Sequence, residues 1–225
     1  MPMRRLLLPL ALLPALAARA EDVKLAADDT QLWTTVQLQM PVGGHGQSVS
    51  LQVQNRLVEN VNRAALQSLR LGYGRQLGED VNVQGGYSLF QSQPLGRPST
   101  LEHRFWQQVQ GPAGQLGPVQ LSWRVGMEER LFERFGDMGL RARGQLRAST
   151  NARLAPLLQT EGFYNLNSTD WGQRAGRDQV RLMAGGTYRF SRHASLEGGY
   201  MYIRLWRPGG DRSLNVINLT LLLRG

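Results

Sequence analysis

Apolar and polar residues alternate along most of the chain. From Val119 to Met127 the apolar row is Val119, Leu121, Trp123, Val125 and Met127, with Gln120, Ser122, Arg124 and Gly126 between them and Glu128 continuing the polar row. From Met138 to Ala148, the row Met138, Leu140, Ala142, Gly144, Leu146 and Ala148 opposes Gly139, Arg141, Arg143, Gln145 and Arg147. From Val180 to Phe190, the row Val180, Leu182, Ala184, Gly186, Tyr188 and Phe190 opposes Arg181, Met183, Gly185, Thr187 and Arg189. A period of two belongs to an extended strand, whose side chains leave alternately to opposite faces. Looser stretches of the same kind are 32–40, 49–57, 65–77, 81–90, 101–110, 157–166, 194–206 and 214–224. Turn residues punctuate them at 41–44, 78–80, 94–98, 111–117 and 208–211. No helical period and no interdomain linker interrupts the series.

This pattern predicts an all-β fold, a single antiparallel transmembrane barrel of ten to twelve strands. The stretches are near the ~9–11 residues that a tilted strand needs to cross a bilayer. Connections alternate in length: 78–80, 150–154 and 191–193 are short, whereas 91–100, 167–176 and 207–212 are longer. Transmembrane barrels place short turns on the periplasmic side and long loops outside, so the last strand is expected to run down toward the periplasm. Eleven stretches are visible. Bacterial barrels have an even strand number, so the expectation is either ten, or twelve with a further strand in 23–30; twelve is preferred.

The content of the two faces argues for a membrane rather than water. The polar face holds Arg, Gln, Glu, Ser and Gly, and Lys24 is the only lysine in the chain. Arginine suits a cation buried beside carboxylates, although a GC-rich genome would give the same bias. The aromatic residues Tyr73, Tyr87, Trp123, Tyr188, Tyr200, Tyr202 and Trp206 lie mostly on the apolar face, as in an interfacial girdle. A soluble periplasmic barrel or sandwich is the alternative architecture.

Export is expected from the N-terminus. Arg4-Arg5, the apolar run Leu6–Leu16 and Ala18-Arg19-Ala20 have the order of a signal peptide, 1–20, leaving a barrel over 21–225. Without Arg4, Arg5 and Arg19, 23 basic side chains face 17 acidic ones, a net charge of +6. The arginines are spread evenly, which disfavours nucleic-acid binding. The chain has no cysteine, so no disulfide stabilises it. Two hairpins look alike: Tyr73–Tyr87 ends in Gly85-Gly86-Tyr87, and Tyr188–Tyr200 ends in Gly198-Gly199-Tyr200.

Several features together resemble the uncharacterised bacterial proteins grouped as domain of unknown function 2490. They are the early Trp33 strand, the strand end at Arg56, the hairpin closing on Gly86-Tyr87 and the run Leu101-Glu102-His103-Arg104-Phe105-Trp106. Arg124 with Glu128 and Arg130, the strand Arg141–Arg147, Glu161-Gly162-Phe163, and Glu197 with Gly199-Tyr200 complete the set. The resemblance covers nearly the whole mature chain and implies an outer-membrane barrel; it implies no activity. The chain departs from the habit of such barrels in ending Leu223-Arg224-Gly225 without a terminal aromatic residue.

Alternation brings Glu102, Arg104, Arg124, Glu128, Arg130, Arg141, Arg143, Arg147, Arg181, Arg189 and Glu197 to one side of the sheet. Buried charges must be paired, so these residues are expected to form a network in the lumen. It would either fill and rigidify a small barrel or line a narrow, anion-preferring path. A second constellation is His193-Ala194-Ser195, the spacing by which an outer-membrane lipid hydrolase sets an imidazole beside a hydroxyl. Its position in a periplasmic turn and the lack of a third member argue against catalysis, so the chain is expected not to be an enzyme. The three histidines, His45, His103 and His193, have no ligand spacing, and neither metal nor cofactor is expected. The expected partners are outer-membrane lipids, with periplasmic chaperones and the barrel-assembly machinery during biogenesis. The oligomeric state is left open.

Overall fold

The computed structural model describes residues 28–44, 46–207 and 209–225. The expected signal peptide, residues 23–27 and His45 lie outside them. Eleven strands form one closed barrel: β1 (Asp28–Pro41), β2 (Gln47–Val58), β3 (Arg63–Leu77), β4 (Val81–Ser92), β5 (Thr100–Leu116), β6 (Val119–Phe132), β7 (Gly139–Thr150), β8 (Leu154–Asn165), β9 (Gly176–Arg189), β10 (Ala194–Leu205) and β11 (Arg212–Arg224). Each pairs antiparallel with its sequence neighbours. The barrel closes by a parallel pairing of β1 with β11, from Asp28↔Ser213 to Gln39↔Arg224.

The strand number corrects the expectation of ten or twelve. An odd count leaves the first and last strands pointing the same way, so the seam is parallel rather than antiparallel. A parallel ladder satisfies their backbone groups at only a slight loss per residue relative to an antiparallel one. Residues 28–30, assigned above to a separate strand, are the beginning of β1.

A second correction concerns 111–117, which was expected to be a turn. β5 continues through Gly111 and Pro112, and the reversal is made by 117–118 alone. The register shifts between Pro112 and Gly114, so the proline sits at a bulge, a place where a sheet tolerates a residue without an N–H.

Connections at one end of the barrel are 42–46, 78–80, 117–118, 151–153 and 190–193; those at the other are 59–62, 93–99, 133–138, 166–175 and 206–211. They are called the short-turn and long-loop ends below. Two glycine pairs let the wall bend tightly. A Cβ on Gly86 would lie 2.0 Å from the Leu71 carbonyl oxygen and 2.8 Å from Gly72 Cα; one on Gly185 would lie 2.2 Å from the Gly198 oxygen and 2.6 Å from Gly199 Cα. Only glycine permits backbones so close.

Candidate functional site in the barrel interior

Among the described residues, seventeen polar or charged side chains are buried, against eleven hydrophobic ones. That ratio inverts a water-soluble core, where buried polar groups are the exception. The strands explain it. On β5, Glu102, Arg104, Trp106 and Gln108 turn inward while His103, Phe105 and Gln107 turn outward; on β7, Arg141, Arg143 and Arg147 turn inward and Leu140, Ala142 and Leu146 outward.

Four carboxylates organise the arginines. Glu128 on β6 is the hub, 2% exposed: it accepts from Arg141 Nε and Nη2 at 3.1 and 2.5 Å and from Arg143 Nη1 at 3.0 Å. Arg104 Nη1 stands 3.5 Å from it. Glu161 on β8 accepts from Arg143 Nε at 3.1 Å and Arg124 Nη2 at 3.2 Å, with Arg181 Nη1 3.6 Å away. Glu102 on β5 holds Arg104 in a two-pronged contact at 2.6 and 2.9 Å, and Arg130 Nε at 2.6 Å. Asp178 on β9 accepts from Arg141 Nη1 at 2.9 Å and Arg207 Nη1 at 2.7 Å. Arg104, Arg141 and Arg143 each span two carboxylates, so β5 to β9 are tied together through the lumen. The Arg fork supplies both charge and direction in such contacts.

Aromatic rings separate and support the guanidiniums. Arg104 lies 3.8 Å over Phe90, Arg70 3.6 Å over Trp106 and Arg56 3.7 Å over Trp33; Phe163 carries Arg181 at 4.5 Å and Arg141 at 4.9 Å. A desolvated contact of this kind contributes about 2 kcal/mol. Trp33 also packs with Leu157, Met183, Met201, Ile203 and Val216 in an apolar cluster. Those residues come from β1, β8, β9, β10 and β11, so side chains meet across the interior and fill it on that side. The sequence reading had paved the lumen with charge alone; the apolar cluster was not foreseen.

The long-loop end is closed over the network by 166–175. Gln173 is buried, accepts from Arg130 Nη1 at 3.2 Å and donates to the Leu140 carbonyl. Trp171 donates to the Asp137 carbonyl at 2.9 Å and packs against Phe132 in a tilted contact, ring centres 4.6 Å apart. Asp170 accepts from the Gly136 and Asp137 amides, which pins this loop to 133–138.

All eleven residues of the expected charged set lie on inward-facing positions of their strands. Eight of them take part in ion pairs of the central cluster. Arg147 pairs separately with Glu197, at 2.6 Å. Arg189 instead donates to the carbonyls of Ala152 and Thr150 in a short turn. Sequence reasoning missed Asp178, because β9 is bulged there. Phe163 pairs with Gln179 and Tyr164 with Arg177, leaving Asp178 as the extra residue, so Asp178 and Gln179 are both buried. Bulges re-aim side chains in this way, and no alternation rule locates them. Glu161 was in plain view, but both rows of β8 mix polar and apolar residues, which hid its face.

The aromatic set lies on the outer face. Tyr73, Trp123 and Tyr188 sit toward the short-turn end, Tyr202 and Trp206 toward the long-loop end, and Tyr87 and Tyr200 near mid-strand. The hydroxyls of the two mid-strand tyrosines are engaged sideways, Tyr87 with His103 Nδ1 at 2.6 Å and Tyr200 with Asn215 Oδ1 at 2.5 Å.

His193 and Ser195 point apart. His193 is in the exposed turn 190–193, its Nδ1 3.0 Å from the Arg224 carbonyl and its Nε2 accepting from Arg192 at 2.8 Å. Ser195 is buried on the inner face. Both ring nitrogens are engaged, and neither is engaged with the hydroxyl. Among the described residues no group of His, Cys, Asp and Glu is arranged to hold a metal ion.

The profile of a family described as protein of unknown function (DUF2490) matches residues 30–214, from β1 into β11. An uncharacterized protein of Methylorubrum extorquens is 29% identical over 226 residues, which cover 98% of this chain and 97% of that protein. No solved structure matches the chain. Many of the residues that carried the resemblance build the interior: Trp33 with Arg56, then Glu102, Arg104 and Trp106, and Glu128, Arg141, Glu161 and Glu197. With more than half of its length matched by the profile, the chain belongs to this family of unknown function, DUF2490.

Proposed function

We propose that this chain is an integral outer-membrane β-barrel, exported through a cleaved signal peptide, whose role is structural or a narrow, anion-preferring passage rather than catalytic. The observation that carries the reading is the inversion of the two faces. Inside are charges, most of them paired; among the described residues twenty-seven large hydrophobic side chains are exposed, most of them on the strands, such as Val53, Leu69, Leu146, Leu158 and Leu182. An apolar surface of that extent needs a non-aqueous partner, and lipid is the partner that covers a barrel on all sides. A closed barrel also leaves no strand edge unsatisfied in hydrocarbon.

Aromatic residues toward both ends of the outer wall suit two interfacial belts. The segregation of short turns to one end supports an orientation with 78–80 and 190–193 in the periplasm and the long loops outside. Lipids are then the permanent partners, and chaperones and the assembly machinery the transient ones. The engagement of His193 away from Ser195 gives no support to a lipid-hydrolase reading.

Fractionation tests the proposal. The chain is expected in the outer-membrane fraction, with an electrophoretic mobility that shifts between unheated and boiled samples. Recovery in the soluble periplasm without such a shift would overturn it.

A further inference from the structure

The interior is not electrically balanced. Eight guanidiniums reach the five carboxylates Glu102, Glu128, Glu161, Asp178 and Glu197. Arg56 and Arg70 turn inward as well and reach no carboxylate among the described residues, while the buried Asp29 is engaged by Gln31 and the Asn60 amide. With Arg189, which meets only the carbonyls of Ala152 and Thr150, eleven cations face six anions among the described residues. Arginine does not shed its proton in a protein, and an uncompensated charge away from water is costly. The excess calls for anions that the chain does not supply.

Arg70 is the place where the wall is built for one. Its guanidinium lies flat on Trp106, 3.6 Å from the ring centre, and its side-chain hydrogen bond is a long one, 3.4 Å to Gln108 Oε1. Directly opposite it in the β3–β4 ladder is Ser88, fully buried, whose Oγ has no partner. The Trp106 indole N–H, on the next strand, is also buried without a partner. The indole is held in place because Gly72 and Gly86 leave the wall bare beneath it; a Cβ on either would come within 2.7 Å of the ring. The charged groups that bear most on Arg70 include the cations Arg143, Arg124 and Arg104 beside the carboxylate Glu128. Arg124 Nε is another buried donor without an acceptor.

We propose that Arg70, Ser88 and Trp106 form a resident site for a small inorganic oxyanion of the phosphate or sulfate class. A guanidinium fork matches two oxygens of such an ion, the indole gives a third donor and the hydroxyl a fourth. Water, which must also donate, fits a ring of donors poorly. The site goes beyond the membrane reading and requires only the closed barrel.

The test uses the full mature chain, folded and purified in a non-ionic detergent, with inorganic phosphate as the probe. Phosphate is expected to raise the unfolding temperature saturably, as ln(1 + [L]/Kd), and by more than chloride at equal ionic strength. Arg70→Met is expected to abolish that increment, whatever shift of the phosphate-free baseline follows from losing the contact with Trp106. Arg147→Met, which breaks a paired contact elsewhere, retains the increment. Should Arg70→Met fail to fold, Ser88→Ala keeps the charge and is expected to raise the half-saturating phosphate concentration about threefold to tenfold, the worth of one hydrogen bond. An equal response to chloride and phosphate, or an undiminished phosphate response in Arg70→Met or Ser88→Ala, would overturn the site. These outcomes are independent of where the barrel fractionates.

Discussion

Arg56 and Trp33 are direct partners in the β1–β2 ladder, and the guanidinium lies 3.7 Å over the indole. Arg181 from β9 also lies near the same indole, 5.3 Å from the ring centre. Trp33 thus links the seam strand to β9, three strands along the wall, and its N–H is satisfied by Gln31 Oε1 at 2.9 Å. Trp33→Ala is expected to destabilise the folded barrel by about 3–5 kcal/mol, the range for a large buried aromatic residue. Trp33→Phe, which keeps a ring beside both cations, should lose less. Urea midpoints of the three folded proteins check the order.

Glu128 is the acceptor for Arg141 and Arg143 and lies beside Arg104. Glu128→Gln leaves these guanidiniums around a neutral amide, and removing one partner of a buried ion cluster costs about 3–5 kcal/mol. Its sequence neighbour Glu129 faces outward and meets Gln107 at 3.2 Å. Glu129→Gln is expected to change stability by under about 1 kcal/mol, as surface charges do. Equal effects in thermal unfolding would show that the network is not the stabilising element.

Asp178 links Arg141 in the lumen to Arg207 in the connection 206–211, and its carbonyl accepts from the Trp206 amide at 3.0 Å. Asp178→Ala is expected to speed hydrogen exchange in 206–211 and at the β9 bulge, while the short-turn end stays protected. Uniform acceleration over the whole barrel would contradict a local role.

The outer wall separates a membrane barrel from a soluble one. Leu158 and Leu182 are 62% and 50% exposed near mid-strand. Arginine at either position is expected to cost about 2–4 kcal/mol of membrane stability near the bilayer midplane. In water the same changes would cost little. Folding yield into lipid vesicles, compared between Leu182→Arg and the parent, is the measurement.

Gly86 and Gly144 make a paired test of the wall. Gly86→Ala drives a methyl group into the Leu71 carbonyl, whereas the position of a Cβ on Gly144 is open. Gly86→Ala is expected to abolish or slow barrel closure, and Gly144→Ala to leave it unchanged, as read by the heat-dependent mobility shift.

Much of the interior was legible because alternation is a local property. Arg124 and Glu128, or Arg141 and Arg143, share a face through strand geometry alone, whatever the rest of the chain does. Legibility ended where local geometry is interrupted. Pro112 and Gly111 resemble a turn, yet β5 passes through them because β6 continues to pair on the far side of a bulge. Asp178 belongs by count to the outward row of Val180 and Leu182, yet it turns inward because one residue is extra.

The sequence by itself determined that this protein is built of strands with one apolar and one charged face, and which arginines and glutamates share the charged one. The tertiary structure decided the rest. That Asp28 lies beside Ser213 in a parallel seam, so that eleven strands close, depends on chain ends that no local pattern connects. That Glu128 receives Arg141 rather than another arginine depends on strand order and register. That Trp33 meets Leu157 and Val216 in an apolar cluster inside a charged barrel depends on closure, which brings β1 to face β8. Alternation is dictated within a few residues by the backbone, whereas pairing across the lumen is settled only when the whole sheet curls and closes.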